Sequence, residues 1–208
     1  MDSTDGLPTF TTEQAHSGRY SIKMSSVATD VSGSPDTPAG GGVYKEGLFP
    51  ETAYYSAWYF LPRAYQTTTA WTIMAFKSRA DAGVVSHLLD VQLQSWPDGE
   101  MTLTLYDHRP EYLASALPNP PPIVPVGQWF QIEALYRDAA DPTGHLEIWL
   151  NGAMVYDVSR PTGPNPAVYF SPCSLVNAVT PSPATIYIDD IAISSVRVTP
   201  NGTLKVPQ

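Results

Sequence analysis

The chain has a single cysteine, Cys173, so it can form neither an intrachain disulfide nor a cysteine metal cluster. Basic residues are also scarce. Eleven Lys and Arg stand against twenty Asp and Glu, for a net charge of -9, which argues against nucleic acid and anionic membranes as general partners. No apolar run is long enough to span a bilayer, and the first residues lack the basic and apolar regions of a signal peptide. A secreted form is therefore expected to carry its signal outside this sequence. No window sustains the period of an amphipathic helix. Turn formers, in contrast, are abundant: twenty-one Pro and fourteen Gly in 208 residues. That composition suits short strands and many turns, and the length suits one all-β domain, residues 1–208, with a sizeable core.

Residues 126–157 show the organisation most clearly. From Trp129 to Arg137, Phe130, Ile132, Ala134 and Tyr136 alternate with Gln131, Glu133 and Arg137, the pattern of a strand with one buried face. Asp141-Pro142-Thr143-Gly144 has turn chemistry, because Pro presets φ and Gly accepts positive φ. His145 to Leu150 is a second strand. Asn151-Gly152 supplies the residues of a type I′ turn, and 153–158 returns antiparallel. Elsewhere, strands are expected over 19–24, 53–61, 71–77, 87–94, 101–108, 167–170 and 185–194. Residues 29–42 lack an apolar pattern and read as a surface loop. Residues 118–125 hold five prolines and are expected to cross the surface outside any central strand. Some eleven to thirteen strands result, with no repeat and no linker.

The period of two also sorts polar side chains by face. In 87–94, Asp90, Gln92 and Gln94 oppose Leu89, Val91 and Leu93. In 101–108, Thr102, Thr104, Tyr106 and His108 oppose Met101, Leu103 and Leu105. Gln131 and Glu133 form the polar side of a third strand. Three polar faces backed by aromatic rings suit sugars, whose hydroxyls need paired donors and acceptors and whose ring faces need stacking. The plain alternative is a solvated sheet face. Among the tryptophans, Trp96 in a loop at a strand end is the candidate sugar platform. Trp129 and Trp149 belong to the framework, and Trp58 and Trp71 fit either role.

The phrases YYSAWYFLP, WTIMAFK, VPVGQWFQIEALYR and LEIWLNGAMVYD resemble the framework of concanavalin A-like jelly rolls. That superfamily includes laminin G-like modules, legume-type lectins, glucanases and polysaccharide lyases. The resemblance implies two packed antiparallel sheets, with the 126–157 segment passing from a concave to a convex sheet. It also implies extracellular carbohydrate binding through the concave face, at Lys77, Asp90, Gln92, Trp96, Tyr106, His108 and Glu133. The catalytic motifs of such lyases do not carry over. Their Gln-x-His would fall on Ala75 and Lys77, their Arg-x-Glu strand near Tyr44-Lys45-Glu46, and their late Tyr-rich strand near 168–174. The glucanase motif Glu-x-Asp-x-x-Glu is absent. Non-catalytic glycan binding is thus the first expectation. The alternatives are a lyase or hydrolase with a non-standard site, grouping Tyr106 and His108 with Lys77 and Glu133, and a laminin G-like protein-interaction module.

Finally, Asp189 and Asp190 are adjacent carboxylates inside the apolar run IYIDDIAI, where an unpaired charge is costly. Alternation sends them to opposite faces. A hard cation would lower that cost, and a hydrogen-bonded aspartate is the simpler alternative. The resemblance implies a structural calcium at Asp189, with Gly18 as a carbonyl donor.

Overall fold

The computed structural model describes residues 7–26, 42–67, 71–79, 85–96, 98–108, 120–163, 166–173, 179–202 and 204–205. Most of the loop expected over 29–42 lies outside these. The described elements are all strands: β1 (Thr9–Thr11), β2 (Ser21–Ser26), β3 (Val43–Glu46), β4 (Thr52–Phe60), β5 (Gln66–Thr67), β6 (Trp71–Arg79), β7 (Val85–Ser95), β8 (Met101–Asp107), β9 (Trp129–Arg137), β10 (His145–Leu150), β11 (Ala153–Ser159), β12 (Ala167–Cys173), β13 (Val179–Thr180), β14 (Ala184–Ser194), β15 (Arg197–Val198) and β16 (Leu204–Lys205). They build a seven-stranded sheet ordered β1-β2-β14-β4-β9-β10-β11 and a five-stranded sheet ordered β3-β12-β6-β7-β8, with two small ribbons. All pairings within the two large sheets are antiparallel.

The sheets close on one another through the apolar side chains that alternate along each strand. Phe130, Ile132, Ala134 and Tyr136 of β9 are buried, as are Met101, Leu103 and Leu105 of β8. Aromatic rings fill the space between. Phe76 stacks on Tyr136 at 4.6 Å and 11° and meets Tyr55 edge-on at 4.9 Å. Tyr59 spans the layers: from β4 its hydroxyl donates to Ile73 O at 2.9 Å and Pro172 O at 2.8 Å in the other sheet. A buried hydroxyl needs such a partner, and these bonds fix how the sheets sit. Cys173 is buried in the same core, and burial pushes its thiol up to about 12, so it is not a reactive group.

The 126–157 meander forms with both expected turns, although Gly144 is required for space and not for a positive φ. Asn151 has φ 50° and Gly152 φ 80°, as a type I′ turn requires. Asn151 Oδ1 also accepts from Gln131 N at 2.8 Å, tying the turn to β9. At Gly144 a Cβ would sit 2.3 Å from Arg160 O, so the turn before β10 admits no side chain. The meander does not pass from one sheet to the other, however. β9, β10 and β11 all lie in the seven-stranded sheet, because each connection reverses the chain onto the neighbouring strand.

Candidate functional site

The outer face of the five-stranded sheet carries a compact polar group at its centre. Asp90 of β7 is 3% exposed. His87 Nδ1 lies 3.0 Å from its Oδ1, His108 Nε2 lies 2.9 Å from its Oδ2, and Thr72 Oγ1 donates to Oδ2 at 3.2 Å. Gln92 Nε2 donates to Thr72 Oγ1 at 3.4 Å. The imidazoles of His87 and His108 are 4.8 Å apart, and Tyr106 meets His108 edge-on at 4.7 Å. Burial is the largest influence on the Asp90 carboxyl and raises it. The hydrogen bonds and the charges of His108 and His87 together outweigh burial and bring it down to about 2.

Two bulges create this group. β6 pairs Thr72 with Gln92 and Met74 with Val91, and further along Phe76 with Leu89 and Lys77 with His87. One extra residue on each strand, Ile73 on β6 and Leu88 on β7, resets the alternation. His87 thus joins Asp90 on the outer face, where strict period two sends it into the core. The signal is legible in hindsight as adjacent apolar pairs, Leu88-Leu89 and Ile73-Met74, all of them buried. Ala75, opposite Asp90 in register, supplies a small side chain beside the buried carboxylate.

Lys77 stands opposite His87. Burial lowers its ammonium below the ordinary lysine range, while the Asp90 charge acts to raise it. Toward β3, Arg79 donates to Glu46 Oε1 at 2.5 Å and to the Tyr169 hydroxyl, and Tyr44 tilts against Tyr169 at 5.7 Å. The three strands singled out by the resemblance, those of Tyr44-Lys45-Glu46, 71–77 and 168–174, are therefore neighbours, as β3-β12-β6. Tyr106 is 41% exposed and Tyr44 63%, so both rings are open on this face.

Of the expected sugar-binding residues, Lys77, Asp90, Gln92, Tyr106 and His108 come together on this face. Trp96 sits in the β7–β8 connection, where its backbone N–H donates to Glu100 O at 2.8 Å, and the residue is 44% exposed. Glu133 does not join them. It is buried in the seven-stranded sheet, where Arg197 Nε donates to it at 2.9 Å and Val198 N at 2.7 Å. Burial raises its carboxyl, against the lowering effect of Arg197. The strand pattern correctly made Glu133 face away from the core, but sheet membership separates it from Asp90.

Asp189 and Asp190 are not split between faces. Asp190 has φ 45°, and the β14–β4 register breaks between Asp189 and Ala192. Both carboxylates consequently grip the entry loop. Asp189 Oδ2 accepts from His16 N at 2.8 Å and Ser17 N at 3.2 Å, and its Oδ1 accepts from Asp190 N at 2.8 Å. Asp190 contacts His16 Nδ1 and the Ser17 hydroxyl, both at 2.6 Å. His16 in turn stacks on Trp58 at 3.7 Å. The donors around Asp189 are N–H groups, where a calcium site wants oxygens. Calcium there would have to displace hydrogen bonds that already satisfy the carboxylate, and it stands as a proposal.

Several solved structures resemble this one over most of its length. An endo-β-1,4-glucuronan lyase from the fungus Trichoderma reesei superposes with a TM-score of 0.66 at 15% identity, covering 95% of this chain and 90% of its own. The fold is an all-β jelly-roll sandwich, as in these structures. The cellulose-induced protein Cip1 matches this jelly roll at 0.64 and 21% identity, over 94% of this chain and 88% of Cip1. The alginate lyase vAL-1 from Chlorella virus matches at 0.57 and 13% identity, over 92% and 90%. No protein-family model and no curated protein matches the sequence. Among the described residues no helix is long and apolar enough to cross a membrane.

Proposed function

We propose that the outer face of the five-stranded sheet binds a uronate polysaccharide outside the cell and cleaves it by β-elimination. The observation that carries this reading is the buried Asp90 held between His87 and His108. A sugar-binding face needs hydrogen-bonding groups and rings. It does not need a carboxylate, desolvated at a cost, clamping two imidazoles whose remaining nitrogens make no hydrogen bond among the described residues. Such a clamp orients imidazole as a general base. The lyases among the similar structures support the substrate class.

In this mechanism His87, oriented through Nδ1 by Asp90, takes the C5 proton with Nε2. Lys77 beside it faces the adjoining uronate carboxylate and neutralises the charge that develops as the proton leaves. The C4–O4 bond breaks as the C4–C5 double bond forms, and the Tyr106 hydroxyl returns a proton to the departing oxygen. Tyr44 on the edge strand β3 and Trp96 in the β7–β8 connection offer ring platforms for flanking sugars. Those open rings are also what favours the second reading, a glycan-binding face without catalysis.

Glucuronan and alginate incubated with the protein should yield the ultraviolet absorbance of an unsaturated uronate. His87→Ala and Tyr106→Phe should abolish that product while calorimetry still detects polysaccharide binding. Tyr106→Ala should also weaken binding, by about 1–3 kcal/mol, through loss of a stacking and hydrogen-bonding partner. Binding by the wild type without product would select the non-catalytic reading. Neither product nor binding to any uronate polymer would remove both.

A further inference from the structure

On the opposite side of the molecule, the outer face of the seven-stranded sheet holds a second cluster with no part in the sugar reading. Glu147 of β10 and Asp157 of the edge strand β11 are direct cross-strand partners, and like charges so placed oppose pairing. His145, two residues before Glu147, shares their face. Its Nε2 lies 2.8 Å from Glu147 Oε1 and 3.3 Å from Asp157 Oδ1. Its Nδ1 lies 2.7 Å from Ser159 Oγ, on the residue directly across from it. One nitrogen is therefore held from behind while the other is aimed between two carboxylates.

We infer that His145, Glu147 and Asp157 form a binding site for a divalent cation of the zinc class. One atom from each of the three residues lies within 4.8 Å of the others. The two contacts to Nε2, 2.8 and 3.3 Å, fall just short of the ~3.4 Å that separates neighbouring ligands around a tetrahedral ion with bonds of about 2.1 Å, so a small outward rotation of the side chains admits the ion. Imidazole with two carboxylates suits zinc or its first-row neighbours, whereas magnesium and calcium take all-oxygen sets. The hydroxyl behind Nδ1 is the kind of partner that fixes a ligating imidazole's orientation. Charge agrees: the carboxylates bring two negative charges. Arg137, across from His145 on β9, has its Nε 3.6 Å from Glu51. Asp157 is half exposed, which leaves a path for the ion and a position for water. Bound there, the cation would tie the edge strand to its neighbour.

The test is a zinc titration of the metal-stripped full chain by calorimetry, with cobalt absorption as a check on geometry. One ion should bind. His145→Ala should raise Kd at least about tenfold, as should Glu147→Gln and Asp157→Asn, and Ser159→Ala should raise it about tenfold through loss of ring orientation. His87→Ala should leave the affinity unchanged, which separates this site from the Asp90 cluster. Excess magnesium should not compete. Circular dichroism of each variant should match the wild type, since the three side chains project from the outer face of the sheet and take no part in the hydrophobic core. Absence of zinc binding, binding indifferent to His145→Ala and Asp157→Asn, or binding lost in His87→Ala would each overturn the inference.

Discussion

Replacing Asp90 with Asn keeps the shape of the side chain and removes its charge. In the folded protein the carboxyl falls from an ordinary 3.8 to about 2, even though burial by itself raises it. At about 1.4 kcal/mol per tenfold change in proton affinity, the ionised form contributes about 2.5 kcal/mol. The sign follows from the direction. A lowered carboxyl gives stability that is complete above the unfolded value near pH 4 and disappears as pH falls through the folded value near 2. Its partners are His87, His108 and Thr72, with Lys77 adding a positive charge nearby. Urea unfolding of wild type and Asp90→Asn from pH 7 to pH 2 should thus show a gap of about 2.5 kcal/mol that narrows through this window. Any packing or amide effect of Asn persists at all pH values and cancels in the comparison. A gap that stays constant down to pH 2 would refute the claim that the two histidines hold an ionised Asp90.

Arg160→Ala should destabilise the fold by about 3–5 kcal/mol in denaturant titration, because Arg160 Nη2 lies 2.6 Å from Asp107 Oδ2 and Asp107 is fully buried. A loss below 1 kcal/mol would mean that Asp107 is satisfied without it. Asn151→Pro should disrupt the β10–β11 hairpin, since proline cannot adopt the φ of 50° found there, and the loss should appear as a lowered melting temperature. Calcium at Asp189 predicts that chelator lowers the melting temperature and that calcium restores it, by about 2.7 kcal/mol at a hundredfold excess over Kd. Asp189→Ala should erase the difference. Superimposed curves with and without chelator would leave Asp189 as a hydrogen-bonded clamp on the entry loop alone.

Local pattern was enough to place most strands. Alternation along Trp129–Arg137 and turn chemistry at Asp141–Gly144 and Asn151-Gly152 depend on residues near in sequence, and there the expected and observed elements coincide. Face was also legible wherever alternation ran unbroken, as at Asp90, Gln92 and Tyr106. What pattern could not carry was the break in alternation. A bulge costs a strand one residue of register, and its position is settled by how both neighbours pack. His87 therefore reached the Asp90 group only in three dimensions, and Asp189 and Asp190 came to one loop by the same device. Sheet membership was the other tertiary decision. Glu133 and Asp90 both lie on outward-facing strand positions, and nothing in their own strands says which sheet each joins. That depends on pairings between strands far apart in sequence, such as β4 with β9 and β12 with β6, and on the burial those pairings make possible.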